Sequence, residues 1–155
     1  MPINITIITQ PQQVVYGLWG KSSDKTLPKD IPALSKKYYD TVGKPSGSIL
    51  PFFVISKDYN EATSKFDLFI GGDIESNRLE AYKLPEGTYG KIVVKPKFGF
   101  IWGAAIGEAK HYFYTKWLPS SEYDAVNMEY EFHTEKSVMK KPEIELLFAI
   151  KKKQS

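Results

Sequence analysis

The residues best able to do chemistry cluster in one short stretch, Asn127-Met128-Glu129-Tyr130-Glu131-Phe132, where polar and apolar side chains alternate. Period-two alternation predicts a strand with Glu129 and Glu131 on the same face. Two carboxylates on one face can move protons, hold a cation or simply face water. His133 stands at the far end of that strand, and His111 falls on a lysine- and tyrosine-rich helical segment where exposure is expected. The two histidines lack a metal-ligand spacing and the chain has no cysteine, so neither a zinc site nor a disulfide framework is expected. Gly99, Gly103 and Gly107 recur every fourth residue, which predicts close approach of a helix to its neighbour. No Gly-Lys-Ser/Thr ending follows them, so a phosphate loop is excluded, and no cofactor is expected. No serine sits in a nucleophile-elbow context.

Aromatic side chains supply the other candidates. Tyr16, Trp19, Phe52 and Phe53 come from segments expected to border a cleft, and Trp102 opens a helical stripe. Trp117, just before Leu118-Pro119, reads as a plug at a helix end. The charge is near balance, +3 from 21 basic and 18 acidic residues, and Arg78 is the single arginine. Base-edge recognition leans on arginine's planar fork, so direct nucleic-acid binding is not expected. The longest near-apolar run, Gly99–Gly107, is about half of a membrane span. The N-terminal isoleucines alternate with Asn4 and Thr6, which suits a strand better than a signal peptide. A cytoplasmic protein without membrane contact, monomeric or dimeric, is the expectation.

These groups must be positioned by elements, and the elements repeat. Pro11–Tyr16 matches Pro85–Gly90, and Lys36-Lys37-Tyr38-Tyr39 matches Lys110-His111-Tyr112-Phe113, both at an offset of 74 residues; Phe66–Ile70 matches Ile144–Phe148 at 78. Each half reads as strand, helix, strand, strand. The first comprises a strand over 14–19, a helix from Asp30 to a Gly43 cap, and a hairpin of 49–56 with 66–71. The second comprises a strand over 88–94, a helix over 98–118 stopped by Pro119, and a hairpin of 124–133 with 143–151. The stripe Trp102, Ile106, Ala109, Phe113, Trp117 marks that helix's buried face. The expected fold is therefore α+β in a single domain spanning 1–155. It consists of two βαββ repeats, about 1–75 and 76–155, related by a pseudo-twofold axis. Antiparallel sheets carry helices on one face and a ligand cleft on the other.

Four segments resemble the GyrI-like family, the bacterial transcription-activator effector-binding domain, over nearly the whole chain. Phe52–Tyr59 followed by Phe66–Gly72 is similar to its first hairpin, and Leu84-Pro85-Glu86-Gly87-Thr88-Tyr89 to its "iPaGkY" strand start. Lys116–Tyr123 resembles its "eWlpeSgY" helix exit, and Met128-Glu129 with Glu143–Lys151 its final hairpin, "FExY" and "EvdIyIpIk". The likeness is greatest to stand-alone members. It implies that Glu129 corresponds to a glutamate at the floor of an aromatic pocket for lipophilic, often cationic, compounds. The family's aromatic two residues on is Glu131 here, so the pocket would hold two carboxylates. A carboxylate among aromatics is costly to desolvate unless paired, and a bound lipophilic cation supplies the pair and stacks on the rings.

Three functions stay open. The first in rank is a binding protein for hydrophobic, including cationic, small molecules, serving sensing, sequestration or protection from drugs and toxins. The ligand-binding candidates are Glu129, Glu131, Tyr16, Trp19, Phe52, Phe53 and Trp102. The second is a hydrolase that opens cyclopropane-bearing genotoxins by adding water, with Glu129 as base. The third is an interaction with DNA gyrase or with a transcription regulator.

Overall fold

The computed structural model describes residues 3–43, 50–96 and 102–154, with the side chain of Trp102 outside that set. Eight strands form one antiparallel sheet: β1 Thr6–Gln10, β2 Gln13–Ser23, β3 Phe52–Asn60, β4 Lys65–Gly72, β5 Glu80–Leu84, β6 Gly87–Val94, β7 Tyr123–His133 and β8 Ile144–Lys152. Their order is β1-β6-β8-β7-β3-β4-β2-β5. Each half contributes the same three strands: β3-β4-β2 in the first and β7-β8-β6 in the second. The approximate twofold axis passes between β3 and β7, which pair antiparallel from Phe52↔His133 to Lys57↔Met128. The expected two-repeat α+β fold is present.

Two strands, the expected N-terminal one and β5, lie outside the two βαββ repeats, and they interlock the halves. β1 precedes the first repeat but pairs with β6 of the second, whereas β5 precedes the second repeat but pairs with β2 of the first. The repeat register also refines the sequence match. Tyr16 pairs with Gly72 where Gly90 pairs with Phe148, so the last strands correspond at an offset of 76 rather than 78. A two-residue shift keeps every side chain on its own face, which is why the pattern survived the misalignment.

Helix α1, Leu27–Val42, begins three residues before the expected Asp30 cap. Asp30 instead stands in the first turn, where its carboxylate accepts from Thr26 Oγ1 at 2.6 Å and Ser22 Oγ at 2.8 Å. Gly43 ends the helix at φ 76°, as predicted, with its N–H bonded to Tyr39 O. Helix α2, Trp102–Tyr112, runs into a π-helical turn at Phe113–Trp117 and a last turn at Leu118–Ser120. Ile106, Ala109, Phe113 and Trp117 all face the core, as the stripe predicts, and Trp117 stacks between Phe113 and Tyr123 at 5.3 and 6.0 Å. Among the described residues the close approach expected at the α2 glycines is absent: a Cβ at Gly103 or Gly107 would meet none of them within 4 Å, and Gly99 lies outside that set.

Cross-strand partners share a face, so the register shows that both helices lie on one side. Val54 pairs with Glu131, and Glu131 with Leu146. Val54 packs in the α1 cluster and Leu146 in the α2 cluster. Neither α1 nor α2 lies on the opposite face, yet Phe53, Ile55, Phe69, Tyr89 and Leu147 are buried there. Burial without a covering layer requires the sheet to curl over itself, so that β5 and β6 close across β3 and β7.

Candidate functional site

Helix α1 packs on β2 and β4, α2 on β6 and the last turn, Leu118–Ser120, on β7, and a gap remains between them over the middle of β3 and β7. That gap is a cavity of about 910 Å³. Its floor includes Ser56 and Glu129, which are direct cross-strand partners. One wall is the start of α1 with Asp24 and Leu27, and the hairpin residues Tyr59, Glu61 and Phe66 close one end. The other wall is α2, with Gly107, Lys110 and His111, and Tyr114 of the π-helical turn that follows it.

Both oxygens of Glu129 are engaged, one from α2 and one from the π-helical turn that continues it. Lys110 Nζ lies 3.0 Å from Oε2, and the Tyr114 hydroxyl donates to Oε1 at 3.0 Å. Lys110 and Tyr114 are four residues apart, one helical turn, so one face of the helix delivers both. The side chains of Lys110 and Glu129 are 24% and 19% exposed, so the pair is largely but not wholly removed from water. Burial pulls the Lys110 ammonium down, but the charges of Glu129 and Glu131 outweigh it and hold the ammonium above its ordinary value. Burial first, and Glu129 second, push the Tyr114 phenol well up, so it stays a donor. Three carboxylates line the cavity (Asp24, Glu61 and Glu129) against one lysine, so it favours positive charge.

At its rim the sheet is bulged twice, between Lys57 and Asn60 on β3 and between Ala125 and Glu129 on β7. Asn127, at φ 56°, clips the two bulges together. The Tyr59 N–H donates to Asn127 Oδ1 at 2.8 Å, and Asn127 Nδ2 donates to Tyr59 O at 3.1 Å.

No family model and no curated protein matches this chain. Solved structures do. An integron cassette protein from Vibrio cholerae aligns with a TM-score of 0.69 and 14% identity, covering 95% of each chain. SAV2435, solved bound to tetraphenylphosphonium, aligns at 0.69 and 12% identity over 97% of this chain and 94% of its own. The EcmrR C-terminal domain aligns at 0.67 and 15% identity over 99% of this chain and 100% of its own. The fold is the GyrI-like one. At such identities the likeness is one of fold, and the residues of the site must speak for themselves.

Within this GyrI-like fold, Glu129 and Glu131 share a face, as the alternation predicts. Only Glu129 lines the cavity; Glu131 is 8% exposed and its Oε1 lies 3.3 Å from His133 Nε2. The sequence pattern expects the glutamate's cleft on the helix-free face, whereas the cavity holding Glu129 is on the helix-bearing face; a second, smaller cavity of about 250 Å³ opens on the other. None of Tyr16, Trp19, Phe52 and Phe53 lines the Glu129 cavity. Tyr16 and Phe52 are on its side of the sheet but pack under α1, Phe52 between Tyr38, Tyr39 and His133. Trp19 and Phe53 are on the opposite side. The reason is the alternation itself: Phe52 and Phe53 are adjacent, and Tyr16 and Trp19 an odd number apart, so neither pair can share a face. Trp102 begins α2, but its side chain lies outside the described residues. Lys110, Tyr114, Tyr59 and Phe66 were not among the site residues expected from sequence, although the Lys110/Tyr114 spacing signals a shared helix face. Among the described residues no cluster of metal-ligating side chains occurs, and no helix is long and apolar enough to cross a membrane.

Proposed function

We propose that this chain is a binding module for bulky lipophilic cations, and that Glu129 selects their charge. The observation that carries this reading is the Glu129 carboxylate at the floor of a cavity of about 910 Å³, paired among the described residues with Lys110 and Tyr114 of the adjacent helical segment. The volume falls within the usual range of ligand sites, roughly 300–1,000 Å³. Tyr59, Phe66, Leu27 and Leu118 provide apolar lining, and three carboxylates bias it towards cations. A ligand cation takes the place of the Lys110 ammonium, so Glu129 is never left buried without a counter-charge. The structure of SAV2435 with tetraphenylphosphonium supports the reading, because that fold accommodates such a ligand.

The test compares two ions of one shape and opposite charge. Calorimetric titration should show tetraphenylphosphonium binding and tetraphenylborate failing to bind. Glu129→Gln, which keeps shape and removes charge, should weaken the phosphonium by about tenfold or more. Equal binding of both ions, or an unchanged phosphonium affinity in Glu129→Gln, would refute it.

A further inference from the structure

The helix-free face carries a second arrangement of charge and rings that the Glu129 site does not use. Trp19 and Tyr82 stand perpendicular, with ring centroids 5.2 Å apart and an interplanar angle of 88°. Phe69, fully buried, backs both, its centroid 4.9 Å from Trp19 and 5.8 Å from Tyr82. Into the angle between the two walls reaches the Lys57 ammonium, 5.0 Å from the Trp19 centroid and 5.5 Å from that of Tyr82. Both distances lie within the roughly 6 Å over which a ring face attracts a cation. Three strands build this corner: β2 supplies Trp19, β5 Tyr82 and β3 Lys57.

We propose that Trp19 and Tyr82 form a recognition site for a small quaternary ammonium group, occupied in the free protein by the chain's own Lys57. The adjoining cavity, about 250 Å³, is lined by Lys57, Tyr82 and Tyr89 with Asp58 and Glu86 among its polar groups. Its volume suits an alkylammonium headgroup and is too small for a tetraphenyl cation. A primary ammonium is strongly hydrated and carries three donors that seek acceptors. Lys57 finds one carboxylate nearby, Asp58 at 3.6 Å, on a side chain that is 65% exposed. A quaternary ammonium has no donors to satisfy and loses less hydration against the rings. Lys57 is itself 31% exposed, so it swings into water when displaced, and the two carboxylates remain to balance the incoming charge. The site is independent of the Glu129 reading, since it lies on the other face of the sheet.

The experiment is an NMR titration of the assigned Trp19 indole N–H with choline and with its uncharged carbon analogue, 3,3-dimethylbutan-1-ol. Choline should shift the resonance saturably with a Kd of about 1 mM or tighter, and the alcohol should not. Lys57→Met, which keeps the stem and removes the internal cation, should tighten choline by about tenfold and leave tetraphenylphosphonium binding unchanged. Tyr82→Leu, on an edge strand, should abolish the choline shift; a thermal unfolding scan confirms its fold. Equal shifts by both probes, no saturation with choline, or an unchanged or weaker choline affinity in Lys57→Met each overturns the proposal.

Discussion

Replacing Lys110 with Met sets two effects of one ion pair against each other. The Nζ···Oε2 distance is 3.0 Å. At an effective dielectric near 20, that separation corresponds to a gross attraction of about 5 kcal/mol. Desolvation and side-chain ordering offset most of it, and a pair about one-fifth exposed retains about 1–2 kcal/mol. In the free protein, Lys110→Met leaves Glu129 with only the Tyr114 hydroxyl. Stability should fall by about 1–3 kcal/mol, which for a chain of this size lowers Tm by about 3–8 °C. Binding should change in the opposite direction. Tetraphenylphosphonium no longer competes with an internal ammonium, so its affinity should rise by about 5- to 30-fold. Because the Lys110 pKa is raised, its contribution is complete below the unfolded lysine value near 10.4 and is lost only as pH climbs through the folded one. The affinity gain should therefore be flat across the neutral range. Lys110→Arg, which keeps the charge, should not show it. Calorimetric titration with thermal unfolding on the same samples reads both effects. Tighter binding without loss of stability would mean that the pair is not formed in solution. Unchanged or weaker binding by a folded Lys110→Met would refute the displacement argument.

Other consequences follow from the geometry. Asn127→Ala removes both bonds to the Tyr59 backbone and puts a residue without a polar side chain at φ 56°; chemical denaturation should show a loss of about 2–3 kcal/mol, and the Tyr59 amide should exchange faster. Gly17 and Gly103 should respond to alanine with opposite signs. A Cβ at Gly17 would fall 2.1 Å from the Ile70 carbonyl oxygen and should cost about 1–3 kcal/mol, whereas Gly103 has open space and should gain up to about 1 kcal/mol of helix propensity. Urea midpoints that move the same way would contradict this. Hydrogen bonds from Thr26 and Ser22 hold the Asp30 carboxyl below its ordinary value of 3.8, so its contribution is present above that value and lost as pH falls through the folded one. Acid titration of stability should therefore be shallower in Asp30→Asn, and an identical acid limb would disprove the role.

The repeat, the strand periods and the helix stripe were legible because each depends on local spacing. Period two put Glu129 beside Glu131, and the i, i+4, i+7 stripe placed Ile106, Ala109 and Phe113 in the core without any knowledge of what they touch. The same local rule, applied to Phe52 and Phe53, forbids both from lining one cavity, so part of the misplaced aromatic set was readable in principle. Which face carries the cavity was not. Both faces of β7 alternate equally well, and only the long-range pairing of β3 with β7, with a helix on either side, leaves Glu129 in the gap. The counter-ion was likewise beyond the sequence. Lys110 is 19 residues from Glu129 along the chain, and its spacing to Tyr114 signals a shared helix face but not which strand that face meets. The swapped edges are the clearest case: β1 and β5 each pair with the half to which they do not belong in sequence. That exchange sets Tyr82 beside Trp19. A strand's own residues encode its two faces and its length, but partner and curvature are properties of all eight strands together.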